Sequence, residues 1–151
     1  MDLTDGIELV KTFVPKDLGL AVVATTRADG SVQASVVNAG VTAHPVDGTL
    51  VAAFVAGGNA TKLRHLRAQP GLTAVWRAGW EWVALEGEAT LVGPVDHLDG
   101  VDGERLRLLL REIFIAAGGT HDDFATYDRV MAEEGRTAVL VRPHRIYTNQ
   151  R

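Results

Sequence analysis

The 151-residue chain contains no cysteine, which excludes disulfides, thiolate nucleophiles and Cys-ligated zinc together. It also lacks a basic excess. Fifteen Lys and Arg face nineteen Asp and Glu, a formal net charge of -4, so the phosphate-neutralising surface that nucleic-acid binding requires is missing. The longest apolar runs, such as 18–25, are strand-length and far below the roughly 20 residues that cross a bilayer. The start, MDLTDGIELVK, has neither the basic region nor the apolar block of a signal peptide. A cytoplasmic location is therefore expected, with no nucleic-acid or membrane partner.

Catalytic signatures are missing as well. There is no GxxxxGK[ST], no GxGxxG after a strand, no HExxH and no GxSxG. The five histidines, His44, His65, His97, His121 and His144, recur at no ligand-like spacing, so no metal site is expected and no catalytic side chain is assigned. Such silence fits a chain that binds and orients a redox cofactor, because the cofactor then carries the chemistry.

What is present describes one domain over residues 1–151, with 46% hydrophobic and 23% charged residues. Ile7, Leu9, Val10 and Phe13 follow Thr4 with Glu8 and Lys11 between them, which predicts a short amphipathic helix ending before Pro15. Two β-branched runs between Leu20 and Thr42 flank Asp29-Gly30 and predict a hairpin with a type I′ turn. In the second run, Val32, Ala34 and Val36 alternate with Gln33, Ser35 and Val37. The first set is expected to enter the core and the second to offer small groups to a flat ligand. An ordinary half-exposed strand is the competing reading of Ser35 and Asn38.

Thr49 to Val55 reads as a strand buried on both faces. It runs into Gly57-Gly58 and a helix from about Asn59 to Ala68, where Lys62 in the first turn adds charge to a helix N-terminus, a place that already favours anions. A plain structural loop is the alternative. The next two strands meet at Ala78-Gly79, with all three tryptophans, Trp76, Trp80 and Trp82, nearby. Burial is the simplest reading of Trp82, whereas Trp80 beside the turn suits an interface or ligand edge.

Two amphipathic segments then carry Leu106, Leu109, Leu110, Ile113 and Phe114, and Phe124, Tyr127, Val130 and Met131, with stops at Gly118 and Gly135. They read as packing helices. A final strand from Thr137 precedes Pro143, which marks an edge or bend. The order is helix, three strands, helix, two strands, two helices and one strand, an α+β layout.

The strand, the GGNATKLRHLRAQP helix and the GWEWVALEGEATLVGP hairpin, taken in succession, resemble the flavin and deazaflavin oxidoreductases of the pyridoxamine 5'-phosphate oxidase-like split β-barrel superfamily. GWEWVALEGEATL together with HDDFATYDRVMAEEGRTAVLVRPHRIYTN is similar to the actinobacterial branch that uses the deazaflavin coenzyme F420, over roughly 18–147. The resemblance implies an FMN-binding type of split barrel with flanking helices, dimeric, holding two cofactors at a homodimer interface. It implies a hydride transfer to a small electron-poor organic acceptor.

By that resemblance Lys62 meets the cofactor phosphate, with Asn59, Ala60 and Thr61 supplying helix-start groups. Gly58, Ser35, Val37 and Asn38 neighbour the ring, and Trp80 and Trp82 approach from the partner subunit. Arg64, Arg67 and Arg77 fall where an acidic tail would pass. Family members that bind FMN often carry Arg where Thr61 stands here, so a single cation remains on this segment. One Lys suits the singly charged phosphodiester of F420 better than the phosphomonoester of FMN. The alternatives are an FMN-binding oxidoreductase of pyridoxamine 5'-phosphate oxidase type and a non-catalytic carrier of F420 or of a haem-like tetrapyrrole.

Overall fold

A computed structural model describes residues 1–151. Helix α1 (Leu3–Phe13) is capped by the Asp2 carboxylate, which accepts from the Asp5 N–H at 2.8 Å. Gly6, Ile7, Val10 and Phe13 are its buried stripe, and the chain turns through a short 3-10 segment, Val14–Asp17, at Pro15.

Six strands follow in the expected order: β1 (Leu20–Thr26), β2 (Val32–Ala43), β3 (Leu50–Ala56), β4 (Gly71–Ala78), β5 (Glu81–Val92) and β6 (Thr137–Thr148). Helix α2 (Thr61–Ala68) lies between β3 and β4, and helices α3 (Gly103–Ala116) and α4 (Phe124–Glu133) lie between β5 and β6. All neighbours are antiparallel and the sheet closes on itself in the order β1-β2-β3-β6-β5-β4. Closure removes every free edge. No helix is long and apolar enough to cross a membrane.

The β1–β2 hairpin is present, but its turn is not type I′. Only Gly30 has positive φ (+87°), while the Gly30 N–H donates to the Arg27 carbonyl at 2.9 Å and the Arg27 N–H to that of Ser31 at 2.8 Å. This is a type I turn followed by a left-handed glycine bulge, and Asp29 serves it through its side chain, accepting from the Ser31 N–H and hydroxyl. The resulting register pairs Val22 with Val36 and Val23 with Ser35. Val23 is buried in the barrel core, so Ser35 and Val37 share the inner face. Val32, Ala34 and Val36 point outward, the reverse of the sequence expectation, and Val36 is 63% exposed. Alternation defines two faces without saying which is inside, and here both faces are apolar.

Two cores result. The first fills the barrel: Ala21, Val23, Phe54, Leu72, Trp76, Val83, Leu85 and Val139, with Ile7, Val10 and Phe13 from α1 and Leu63 and Leu66 from α2. Trp76, 1% exposed, donates its indole N–H to the Ala39 carbonyl at 3.2 Å. The second lies outside the barrel, between β3, β5, β6 and the α3–α4 pair, and contains Val51, Ala53, Leu109, Leu110, Ile113, Tyr127 and Leu140. Strand β3 feeds both, Ala52 and Phe54 inward and Val51 and Ala53 outward, which accounts for its unbroken apolar run. Opposite Pro143, the β5–β6 register shifts between Glu86 and Gly87, so the proline sits at a bulge.

Candidate functional site

Where the second core meets the rim of the barrel, the packing leaves a cavity of about 410 Å³. Its walls are Val36, Val37 and Asn38 of β2, Val55 and Ala56 of β3, Ile113 and Phe114 of α3, and Tyr127 and Met131 of α4, with Gly57, Lys62 and Arg136 at the margin. The lining is mostly apolar with two cations, a composition suited to a flat apolar ring bearing an anionic group.

Local chemistry puts each wall in place. A Cβ on Gly40 would stand 2.5 Å from the Ala116 carbonyl, and one on Gly19, whose φ is +71°, 2.1 Å from that of Ala117. These glycines let the end of α3 lie directly on β1 and β2. The Asn38 amide then ties the three elements together, donating to the Leu18 and Ala117 carbonyls at 3.0 Å each.

Helix α4 is held to α3 by Asp128, whose carboxylate receives Arg107 at 2.7 Å and Arg111 at 2.8 Å. Those guanidinium groups hold the Asp128 carboxyl below the usual carboxylate range, the Arg111 hydrogen bond contributing most. The aromatic rings of Phe114, His121, Phe124 and Tyr127 pack together at centroid distances of 5.0–6.5 Å. The Tyr127 hydroxyl donates to the Leu110 carbonyl at 3.1 Å and burial raises its pKa, so its proton is committed to the protein rather than to the cavity.

Gly57-Gly58 has a packing role that the sequence reading missed. The Gly58 N–H donates to the Glu134 carbonyl at 3.1 Å, and a Cβ there would stand 2.8 Å from the Gly135 carbonyl oxygen. Only a residue without a side chain permits this approach. Gly135 itself has φ of +60° and ends α4 in a Schellman turn, in which the Arg136 N–H returns to the Met131 carbonyl at 3.0 Å. That turn delivers Arg136 to the cavity beside Gly57.

Of the residues singled out from sequence, Lys62, Val37 and Asn38 come together at the cavity. Gly58, Asn59, Ala60 and Thr61 form the approach to it: α2 begins at Thr61, and its N-cap residue Ala60 makes no side-chain cap, so the first amides have no side-chain acceptor. Ser35 faces the barrel interior instead. Arg77, Trp80 and Trp82 lie on the outer face of the β4–β5 hairpin and do not line the cavity of their own chain. Trp80 is 92% exposed at the hairpin tip, while Trp82 is half-buried, edge-to-face with Tyr147 at 5.9 Å, and so outside the core. Arg67 is engaged with Asp96 through two bonds of 2.9 and 2.6 Å, and Arg77 donates to the Gly79 carbonyl, which leaves Arg64 as the free arginine of the three.

Two findings correct the sequence reading further. Helices α3 and α4 do pack, but they also supply four cavity walls. Arg136 is a second cation on the same cavity as Lys62, so counting cations along the α2 segment alone understated the charge available to an anion. The signal for it was the Gly135 stop, since a Schellman turn sends the next residue back along its helix.

The outer faces of β2, β1, β4, β5 and β6 carry a continuous row, Val36–Val22–Val75–Ala84–Tyr147, flanked by Leu20, Trp82 and Ala34. Val36 belongs both to this row and to the cavity wall, so the cavity borders the apolar face.

No family model matches the chain, and no curated protein matches it in sequence. Solved structures do match its fold. A pyridoxamine 5'-phosphate oxidase-related, FMN-binding protein from Nostoc punctiforme superposes with a TM-score of 0.66 at 14% identity, covering 98% of this chain and 86% of its own. A protein described as an F420 reductase gives 0.60 at 16% identity, covering 91% and 94%. A haem-binding protein from Mycobacterium smegmatis gives 0.60 at 15% identity, covering 95% of this chain and 53% of its own. The chain therefore shares the pyridoxamine 5'-phosphate oxidase-like split-barrel fold with proteins whose ligands differ.

Proposed function

We propose that the chain is an oxidoreductase that binds coenzyme F420 at a homodimer interface and uses it to reduce a small, electron-poor organic acceptor. The observation that carries this reading is the cavity with apolar walls and paired cations at one margin, bordering an apolar sheet face that a second copy would cover. Lys62 and the uncapped start of α2 would hold the phosphate. Val36, Val37 and Phe114 would wall the ring against water, and Asn38 would fix the α3 terminus beside it.

When bound there, the coenzyme supplies the hydride. The chain's own part is orientation and exclusion of water. The Tyr127 hydroxyl is committed to the Leu110 carbonyl, so it is not assigned as the acceptor's proton donor. The apolar row of Val22, Val36, Val75 and Tyr147 would form the centre of the dimer. In that arrangement Trp80 and Trp82 would reach a cofactor seated mainly on the partner.

An FMN-binding oxidoreductase is the second reading, and Arg136 favours it, since two cations suit a phosphate of charge about −1.5 to −2. The readings separate on reduced F420 mixed with a panel of enones, quinones and biliverdin. Steady oxidation that depends on the protein supports the reductase; binding of F420 without turnover across the panel would make the chain a carrier.

A further inference from the structure

The cavity's two cations differ in their surroundings. The α2 side chain Lys62 forms no ion pair, whereas Arg136, on the α4–β6 turn, is paired through Nε with the Glu134 carboxylate at 2.9 Å. The pair uses one edge of the guanidinium. The terminal Nη1 and Nη2 groups donate to no protein acceptor, and the guanidinium carbon stands 4.0 Å from the position of a Gly57 Cβ, alongside the cavity. Arginine presents five donors in a rigid fork, so a group that occupies Nε leaves the outer pair aimed elsewhere.

The Schellman turn fixes this geometry. Arg136 is anchored by its N–H to Met131, and Glu134 is anchored by its carbonyl to the Gly58 N–H. Both side chains therefore sit on a rigid two-glycine contact rather than on a free loop. Formal charge at this margin is two cations and one carboxylate, a net of one positive charge. A singly charged phosphodiester would balance it, and a phosphomonoester near two negative charges would not.

We propose that Arg136 is a second phosphate-binding side chain and that Glu134, by pairing with it, sets the cavity's preference for singly over doubly charged phosphates. Discrimination between phosphate types then resides in the α4–β6 turn and not in α2, where Thr61 stands. This rests on the cofactor reading above, but it adds Glu134, which that reading does not use, and assigns the choice of cofactor to its pairing with Arg136.

The test measures dissociation constants for F420, FMN and riboflavin, the last having the ring without the phosphate, on the wild-type chain, Arg136→Gln and Glu134→Gln. Arg136→Gln is expected to weaken F420 and FMN by about tenfold or more, as for a lost hydrogen bond to a charged group, and to leave riboflavin unchanged. Glu134→Gln is expected to tighten FMN more than F420, moving their ratio by about threefold or more, a gain that misfolding cannot imitate. The proposal is overturned if Arg136→Gln binds the phosphorylated ligands within twofold of wild type, if riboflavin falls in parallel, or if Glu134→Gln leaves the ratio unchanged.

Thermal unfolding with inorganic phosphate separates this proposal from the cofactor reading. If the wild-type chain binds none of the three ring ligands, yet phosphate raises its Tm and not that of Arg136→Gln, the anion role of Arg136 stands and the cofactor reading falls. If phosphate has no effect either, both fall.

Discussion

The barrel core and the core beneath α3–α4 are built on opposite plans. The first is ringed by strands in a closed hydrogen-bonded barrel with α1 and α2 packed against it, and its largest side chains, Trp76, Phe13 and Phe54, are at most 2% exposed. The second has a sheet on one side and two helices on the other, fastened by aromatic packing and the Arg107–Asp128–Arg111 bridge. The barrel interior is packed with these side chains. The seam between a rigid sheet and a separately fastened helix pair does leave room, and the cations stand there. The barrel is the scaffold, and the seam is where chemistry is possible.

Substitutions at the two cores should therefore have different consequences. Phe54→Ala, in the barrel, is expected to cost about 3–5 kcal/mol of stability, read by denaturant unfolding. Gly58→Val, at the seam, places a side chain against the Gly135 carbonyl and should cost about 1–3 kcal/mol while disproportionately weakening ligand binding. A loss of stability with unaltered affinity would show that the glycine contact does not organise the site.

Asp128→Asn releases α4 and should cost about 1–2 kcal/mol, with hydrogen exchange accelerating in α4 before any barrel strand. Acid should do the same. The folded Asp128 pKa lies below its unfolded value near 3.9, so its contribution is complete above that pH and is lost as the pH falls through the folded pKa. Amide exchange in α4 is expected to quicken across that range while β3 and β6 stay protected. Smallest in stability is Val36→Glu, on the exposed row, at no more than about 0.5 kcal/mol. Its effect is expected in sedimentation instead, as conversion of a dimer to a monomer, and a wild-type chain that sediments as a monomer would remove the interface.

The order of elements was legible because turn glycines and hydrophobic periods agreed. Gly30, Gly79, Gly118 and Gly135 all take the positive φ that their positions suggested. The orientation of β2 was not legible, because a strand with one face in a core and the other on an apolar exterior is hydrophobic on both sides. Trp82 misled for the same reason: an apolar run places it in a strand but cannot say that its face is the outer one. At the site, Lys62 was readable from a local pattern, one glycine pair and one helix start. Arg136 was not, since it joins Lys62 on the cavity lining only through the contact of Gly58 with Gly135, two glycines from distant parts of the chain. Local signals identify the groups, and closure of the barrel decides which of them meet.

The central claim is that the seam cavity holds a phosphorylated redox ring by Lys62. Titration of the purified protein with F420 and, separately, with FMN, followed by tryptophan fluorescence, tests it directly. The account predicts saturable quenching by F420 at one ligand per chain, with Lys62→Ala weakening binding by about 1.5–3 kcal/mol. Tight binding of FMN without binding of F420 would contradict the choice of cofactor, and unchanged affinity in Lys62→Ala would contradict the site itself.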